Sequence, residues 1–453
     1  MIKFGTLNNI KSAFSPKRQA LSKVYLEILA RVLNELHATS YSLRFWTFLL
    51  HGYVGSVISN LELYEQEDII LRITNDYESG FGKPSLKIRL QKSIIAMLKY
   101  FKTLKNKKRI LNYIRSHSSL HIGFPKLKVV DDDLGQRLPL FYPFYQFMHN
   151  RKIRDELELI SQKYDDIVVR NMLRGIPKIY IEGLPSILVS IPKYSPKEKI
   201  FHYHMGTGYF LFLVAIYLEH GAKLYWYQHG AFYGEMEYGG HVRERDLADV
   251  YRTWGWKIED KDEPWKAYRL EDFRSKFDIS TISAEYDLLM AFGIVSSQTI
   301  EYNINFAKTL FKNLDKKKYQ KILVRPRPTN KLFSSKNKLN FLQDSRISFS
   351  TGLKPMYNDM AKSKLTLQMY IPSTNFLECL YVQYPTVGLL DNDQPTQIVK
   401  LFYNWLIEKR VLHISIRSLV SHLNKVDVNE WWQDVINDPE YAKYKNQFFK
   451  GID

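Results

Sequence analysis

Between Lys223 and Trp256 the chain reads KLYWYQHGAFYGEMEYGGHVRERDLADVYRTWGW, and few folds accommodate such a stretch. Aromatic and aliphatic residues crowd Lys223–Tyr227 and predict a β-strand, which Gln228–Gly230 ends with a polar pair and a glycine. Val250–Trp254 predicts a second strand, closed by Gly255. In open α/β sheets ligands bind beyond the carboxyl ends of strands, so Gln228, His229, Gly230 and the Tyr233–Gly234–Glu235 turn are expected to look into a cleft.

Charge narrows what such a cleft can serve. The chain has 453 residues, more than one hydrophobic core usually supports, so two domains are expected. Lys and Arg number 65 against 47 Asp and Glu, a net +18 that calls for anionic company: phospholipid, nucleic acid, acidic sugars or nucleotides. Without a basic helix carrying interleaved aromatics, or a known reader motif, nucleic acid is not an expected partner. The single cysteine, Cys379, rules out an intramolecular disulfide and a cysteine-rich metal site, and suits a reducing, cytoplasmic setting. The first nineteen residues lack the apolar block of a signal peptide. Tyr209–Leu218 is the longest apolar run and is too short to span a bilayer. Lys102–Arg109, KTLKNKKR, suits either an anionic lipid surface, at about 1 kcal/mol per charge, or a solvated helix end.

Residues 19–37 place Leu21, Tyr25, Ile28, Leu29, Val32 and Leu36 on one helical stripe. The following aromatic segment reads as scaffold, with His37 either a ligand contact or a hydrogen-bonded interior histidine. Residues 60–165 are mostly helical in pattern. Glu182, beside Gly183, fits two roles: a catalytic acid, or the partner of a helix starting near Pro185. His202 and His204 share a strand face, but no third ligand lies near them, so no metal site is expected. Tyr209–Leu218 predicts a helix covering a sheet.

From Thr281 a second α/β unit is expected, with strands Leu288–Phe292, Ile322–Val324, Leu365–Tyr370 and Thr386–Leu390 and a helix Ile304–Leu314. Arg325 and Arg327, stiffened by two prolines past a strand end, suit a phosphate or carboxylate, or form a solvated positive loop. Ser373 and Thr374 open a helix, where they can seat an anion or act as an N-cap. Glu378, one turn on, is placed to reach a ribose hydroxyl. The resulting division is residues 1–280, 281–428, and a helical 429–453 packing back across both.

Four segments in this order carry a resemblance: LN-x-x-H with YS-x-RFW at Leu33–Trp46, QHG-x-x-YG at Gln228–Gly234, E-x-x-x-x-D-x-Y-x-x-WGW at Glu244–Trp256, and ST-x-FLE-x-L at Ser373–Leu380 with Pro385–Thr386. With them the chain resembles a bacterial family of transferases for O-antigen and other surface polysaccharides. Ala231 stands where that family pattern has a further glycine. More distantly it is similar to retaining β-Kdo transferases of the GT-B fold, in which two Rossmann-like domains face a central cleft.

That resemblance implies a CMP-activated ulosonic acid as donor, no metal or other cofactor, and a carbohydrate or glycolipid acceptor at the cytoplasmic face of the inner membrane. It implies donor contacts from Arg325, Arg327, Ser373, Thr374 and Glu378. Retention needs a carboxylate nucleophile, for which Glu235, Glu237, Glu244 and Asp249 are candidates, and a base, Glu182 or His229. Asp249 precedes its strand and so is expected at the end of the sheet away from the cleft. The histidine-glycine turn and the serine-threonine helix start are expected to face each other across one groove. Other donors (UDP- or GDP-sugars, CDP-glycerol) and a binding protein without turnover are the alternatives.

Overall fold

The computed structural model describes residues 16–59, 119–122, 150–191, 200–203, 209–231, 233–234, 240–292, 297–325, 344–352, 354–371, 373–390 and 396–449. They fall into two compact units. Over the described residues, one takes the chain from Pro16 to Tyr227 together with Val242–Tyr251; the other takes Gln228–His241 and Arg252 onward. Lys102–Arg109 lies outside the described residues.

The first unit opens with two helices, α1 (Pro16–His37) and α2 (Leu43–Ser59). The buried stripe of α1 is shifted from the expected one: Tyr25, Leu29 and Val32 are buried and Leu26 and Leu33 join them, while Leu21, Ile28 and Leu36 are half-buried. Ser42 caps α2 by accepting the Phe45 N–H at 3.2 Å, and its hydroxyl donates to Glu219. Asn34 closes the turn between the helices: its Oδ1 accepts from Thr39, the Tyr41 N–H and Trp46 Nε1, while its Nδ2 donates to the Tyr41 carbonyl. Buried Phe45 and Trp46 beside a turn in which both amide heavy atoms of Asn34 are engaged explain that segment as scaffold. His37 belongs to it, with Nε2 at 2.9 Å from the Tyr180 carbonyl and burial holding its pKa down.

The strands β1 (Ser119–Ile122), β2 (Ile200–Tyr203), β3 (Lys223–Tyr227), β4 (Val250–Thr253) and β5 (Asp262–Pro264) form one sheet in sequential order. β1, β2 and β3 pair in parallel. Between β2 and β3 runs α3 (Tyr209–Glu219), whose Phe212, Leu213, Val214, Ala215 and Tyr217 are all buried, as an apolar helix against a sheet requires. No helix among the described residues is long and apolar enough to cross a membrane.

The second unit begins with the Gln228 loop and α4 (Tyr268–Arg274). Residues 252–280, grouped with the first half on sequence, bury Phe273 and Phe277 here against Leu289, Leu323 and Tyr384. Its sheet comprises β6 (Leu288–Ala291), β7 (Ile322–Arg325), β8 (Ile347–Phe349), β9 (Thr366–Ile371), β10 (Thr386–Leu390) and β11 (Leu412–His413). The order is β11-β10-β9-β6-β7-β8, every pair parallel. Counted from β6 this is 3-2-1-4-5-6, the doubly wound dinucleotide-fold order. Central strands β6 and β7 are buried throughout, and their helices include α5 (Ser297–Asn313), α6 (Thr374–Tyr381), α7 (Gln397–Glu408) and α8 (Ile416–Lys425). The expected terminal helix is two, α9 (Val428–Ile436) and α10 (Pro439–Phe448), because Asp438 caps a new start with Pro439 at its first position. Tyr444 and Phe448 of α10 stack on Phe402 of α7.

The rings of His413 in β11 and His422 in α8 lie 5.2 Å apart, almost wholly buried, each with an Nε2 that finds no partner among the described residues. Burial pushes both imidazoles down to about 4, opposed at His413 by a hydrogen bond with the Arg410 backbone and helped at His422 by the charge His413 would carry. Below the ordinary value of 6.5 the unfolded chain takes up these protons and the fold does not. Stability is therefore full above pH 6.5 and declines as pH falls toward 4, by about 3 kcal/mol per histidine. The urea midpoint should drop across that window, and a variant with both histidines replaced by glutamine should drop less.

Candidate functional site

In the second unit the strand order reverses between β6 and β9, and the crevice beyond their carboxyl ends is where such sheets hold ligands. β9 ends at Ile371, and Ser373 then caps α6 by accepting the Phe376 N–H at 3.1 Å. The first N–H groups of α6 thus open at the switch point, with the positive end of the helix dipole. Ser373 is a cap, as one of its two expected readings held, and Thr374 stands beside it at the open end.

The Gln228 loop rests directly on this helix start. The Ala231 N–H donates to Thr374 Oγ1 at 3.1 Å, and a Cβ on Gly230 would come within 2.9 Å of the same oxygen. Thr396 donates to the Gly234 carbonyl at 2.6 Å. Gly234 has φ +74, and a side chain there would strike the Trp256 ring at 2.5 Å.

Gln228 joins the loop to the WGW turn. Its Oε1 accepts from the Trp254 N–H at 2.9 Å and from Trp256 Nε1 at 2.8 Å, and its Nε2 donates to the Gly230 carbonyl at 2.9 Å. Trp254 Nε1 donates to the Gln228 carbonyl at 3.1 Å. The two sequence motifs, QHG and WGW, are one hydrogen-bonded assembly.

His229 is held at the centre of this loop. The Tyr233 hydroxyl lies 2.7 Å from Nδ1 and 3.0 Å from Nε2, with the rings edge to face. Burial, and secondly the Arg269 guanidinium, hold its pKa down at about 4, so the imidazole is neutral at pH 7 and can accept a proton. Arg269 comes from α4; its Nε donates to Glu378 Oε1 at 3.2 Å and its Nη1 approaches the His229 carbonyl at 3.5 Å. Nothing in the run AYRLEDF singles Arg269 out on sequence.

The other expected site residues fall as follows. Glu378, expected at a ribose, is only 5% exposed and is taken by Arg269; burial raises its carboxyl pKa against the pull of that arginine. Arg325, expected on the donor, instead ties the second unit together: it pairs with Asp359 and donates to the Gly352 and Lys354 carbonyls. Glu182 makes a two-pronged bond with Arg154, at 2.8 and 2.7 Å, its side chain 3% exposed. Asp249 accepts the Leu224 N–H at 2.7 Å and bonds Arg44 at 2.9 Å, at the opening of β3, the end expected for it. Glu244 lies 3.5 Å from the Tyr251 hydroxyl. Arg327, Glu235, Glu237 and His204 lie outside the described residues, and so does the side chain of His202. Among the described residues no three His, Cys, Asp or Glu side chains converge on a metal position.

The profile of the LIC12162 family transferases matches residues 60–450. No curated protein matches. Among solved structures the chain is similar to α,α-trehalose 6-phosphate synthase from Burkholderia multivorans, with 10% identity, 66% of this chain and 74% of that chain covered, and a TM-score of 0.37. It is similar to the O-GlcNAc transferase of Thermobaculum terrenum, with 10% identity, 99% and 96% covered, and a TM-score of 0.36. The wall teichoic acid polymerase TagF follows at 12% identity, 61% and 70% covered, and a TM-score of 0.31.

Proposed function

Since the chain belongs to the LIC12162 family of transferases, we propose that it is a glycosyltransferase of the GT-B class acting in bacterial surface-polysaccharide assembly. Its donor is a nucleotide-activated sugar, a CMP-linked ulosonic acid of the Kdo type. Its acceptor is a carbohydrate or glycolipid hydroxyl at the cytoplasmic face of the inner membrane. One observation carries this reading: the loop that bears His229, an imidazole held neutral at pH 7, rests through Ala231 on the amino-terminal end of α6 at the switch point of a doubly wound sheet.

In the proposed reaction the donor phosphate lies against the open N–H groups of α6 and the Thr374 hydroxyl. His229 takes the proton of the acceptor hydroxyl as its oxygen bonds the anomeric carbon. The bond from that carbon to the CMP phosphate breaks, and CMP leaves with the electron pair. A retaining course inserts a carboxylate first, and Glu235 and Glu237, which follow Gly234 in the sequence, are the nearest to His229 along the chain. The mechanism uses no metal.

Calorimetry with CMP, UDP, GDP and CDP-glycerol tests the donor. Heat of binding for CMP that is lost on replacing Thr374 by valine is expected. Binding of UDP or GDP alone would remove the cytidine donor, and silence toward all four would remove the nucleotide site.

A further inference from the structure

Arg269 has two contacts and one open side. Its Nε is fixed by Glu378 and its Nη1 points at the His229 carbonyl, while its side chain is 45% exposed and its Nη2 has no recorded acceptor among the described residues. Glu378 is buried and on the first turns of α6, so the guanidinium is held in place by a carboxylate that cannot swing into solvent. A fork of donors fixed at one edge and open at the other is suited to a planar or tetrahedral anion. The same positive charge faces His229.

We propose that Arg269 couples anion binding to catalysis: an anionic group of the donor, phosphate or carboxylate, docks on its open edge, cancels its field at His229, and so makes that histidine a stronger base only when the donor is in place. The inference rests on the transferase reading for the identity of the anion, not for the coupling itself. In the free protein two influences disfavour a charged His229, burial and then Arg269, and the second is the one a bound anion removes. Among the described residues, the charged and titratable groups around His229 include the Tyr233 hydroxyl from its own loop, Arg269 from α4, and Glu378 from α6 behind that arginine. Asp272, one turn along α4, acts on Glu378. Glu378 already balances part of the Arg269 charge, so an added anion leaves the cluster net negative and favours the imidazolium that forms as His229 takes its proton.

The test is the titration of His229 by NMR in the full chain labelled at histidine Cε1, with its resonance assigned by comparison with His229→Gln. In the free protein His229 should titrate near 4. Saturating CMP or inorganic phosphate should raise that value by about one pH unit, the size expected for one nearby charge. Arg269→Gln should raise it without any ligand and abolish the further response, whereas Arg269→Lys, which keeps the charge, should titrate like the parent. If Arg269→Gln fails to fold because Glu378 is left unpaired, the double variant with Glu378→Gln removes both members. A response to phosphate but not to CMP supports the coupling and counts against the cytidine donor. Silence of the parent protein toward every anion, or equal titration with and without Arg269, overturns the coupling and leaves the transferase reading to the donor binding test.

Discussion

Replacing His229 by glutamine should lower turnover by about 10²- to 10⁴-fold, the range for loss of a general base, while the thermal midpoint moves little. The small structural effect is expected because the imidazole bonds the Tyr233 hydroxyl, and a glutamine can keep a hydrogen bond there. The measurement is product formation from a CMP-linked ulosonic acid, with the melting curve as control. The pH dependence adds a second, independent reading. Because His229 is held at about 4 in the free protein, kcat/KM, which reports free enzyme, should stay flat from pH 8 down to about 5 and then fall. An acid limb near 6.5 in kcat/KM, or a glutamine variant with undiminished turnover, would take His229 out of the chemistry.

Gln228→Met is the second large effect, and here the loss should appear in stability first. The side chain is 4% exposed, so methionine fits the volume but strands the Trp254 N–H, Trp256 Nε1 and the Gly230 carbonyl. Buried groups deprived of partners cost about 1–3 kcal/mol each, less where the loop relaxes to reach water. A fall of about 2–4 kcal/mol in the unfolding free energy, read from urea denaturation, is expected. Activity should fall with it even under conditions where the variant is folded, since the Gln228 side chain holds the Gly230 carbonyl directly after His229. Unchanged stability would mean that QHG and WGW do not depend on each other.

Local pattern made much of this legible. The aromatic run at Lys223–Tyr227 and the four apolar runs from Leu288 to Leu390 emerge as β3, β6, β7, β9 and β10, because buried parallel strands are written as continuous apolar blocks. Ser373 could be placed at a helix start because hydroxyl residues cap helices, and it does. The short strands β8 and β11 left no such block: Ile347–Phe349 is mostly exposed at an edge, and Leu412–His413 is two residues long. Charged residues were the least legible. Arg325, Glu182 and Glu378 stand at loop or helix starts where a ligand role is reasonable, but each has a partner, Asp359, Arg154 or Arg269, far off in sequence. Spacing along the chain carries no information about such pairs. Arg269 was missed for the same reason, since only the fold brings α4 under the His229 loop.

The WGW turn lies against the far end of the chain: a side chain on Gly255 would meet the Gln447 carbonyl of α10 at 2.6 Å. During synthesis the histidine loop therefore leaves the ribosome more than two hundred residues before the surface that braces it exists. The histidine turn is among the first parts of its unit to be made and among the last to be fastened, so a nascent or interrupted chain carries it without the brace that sets its geometry.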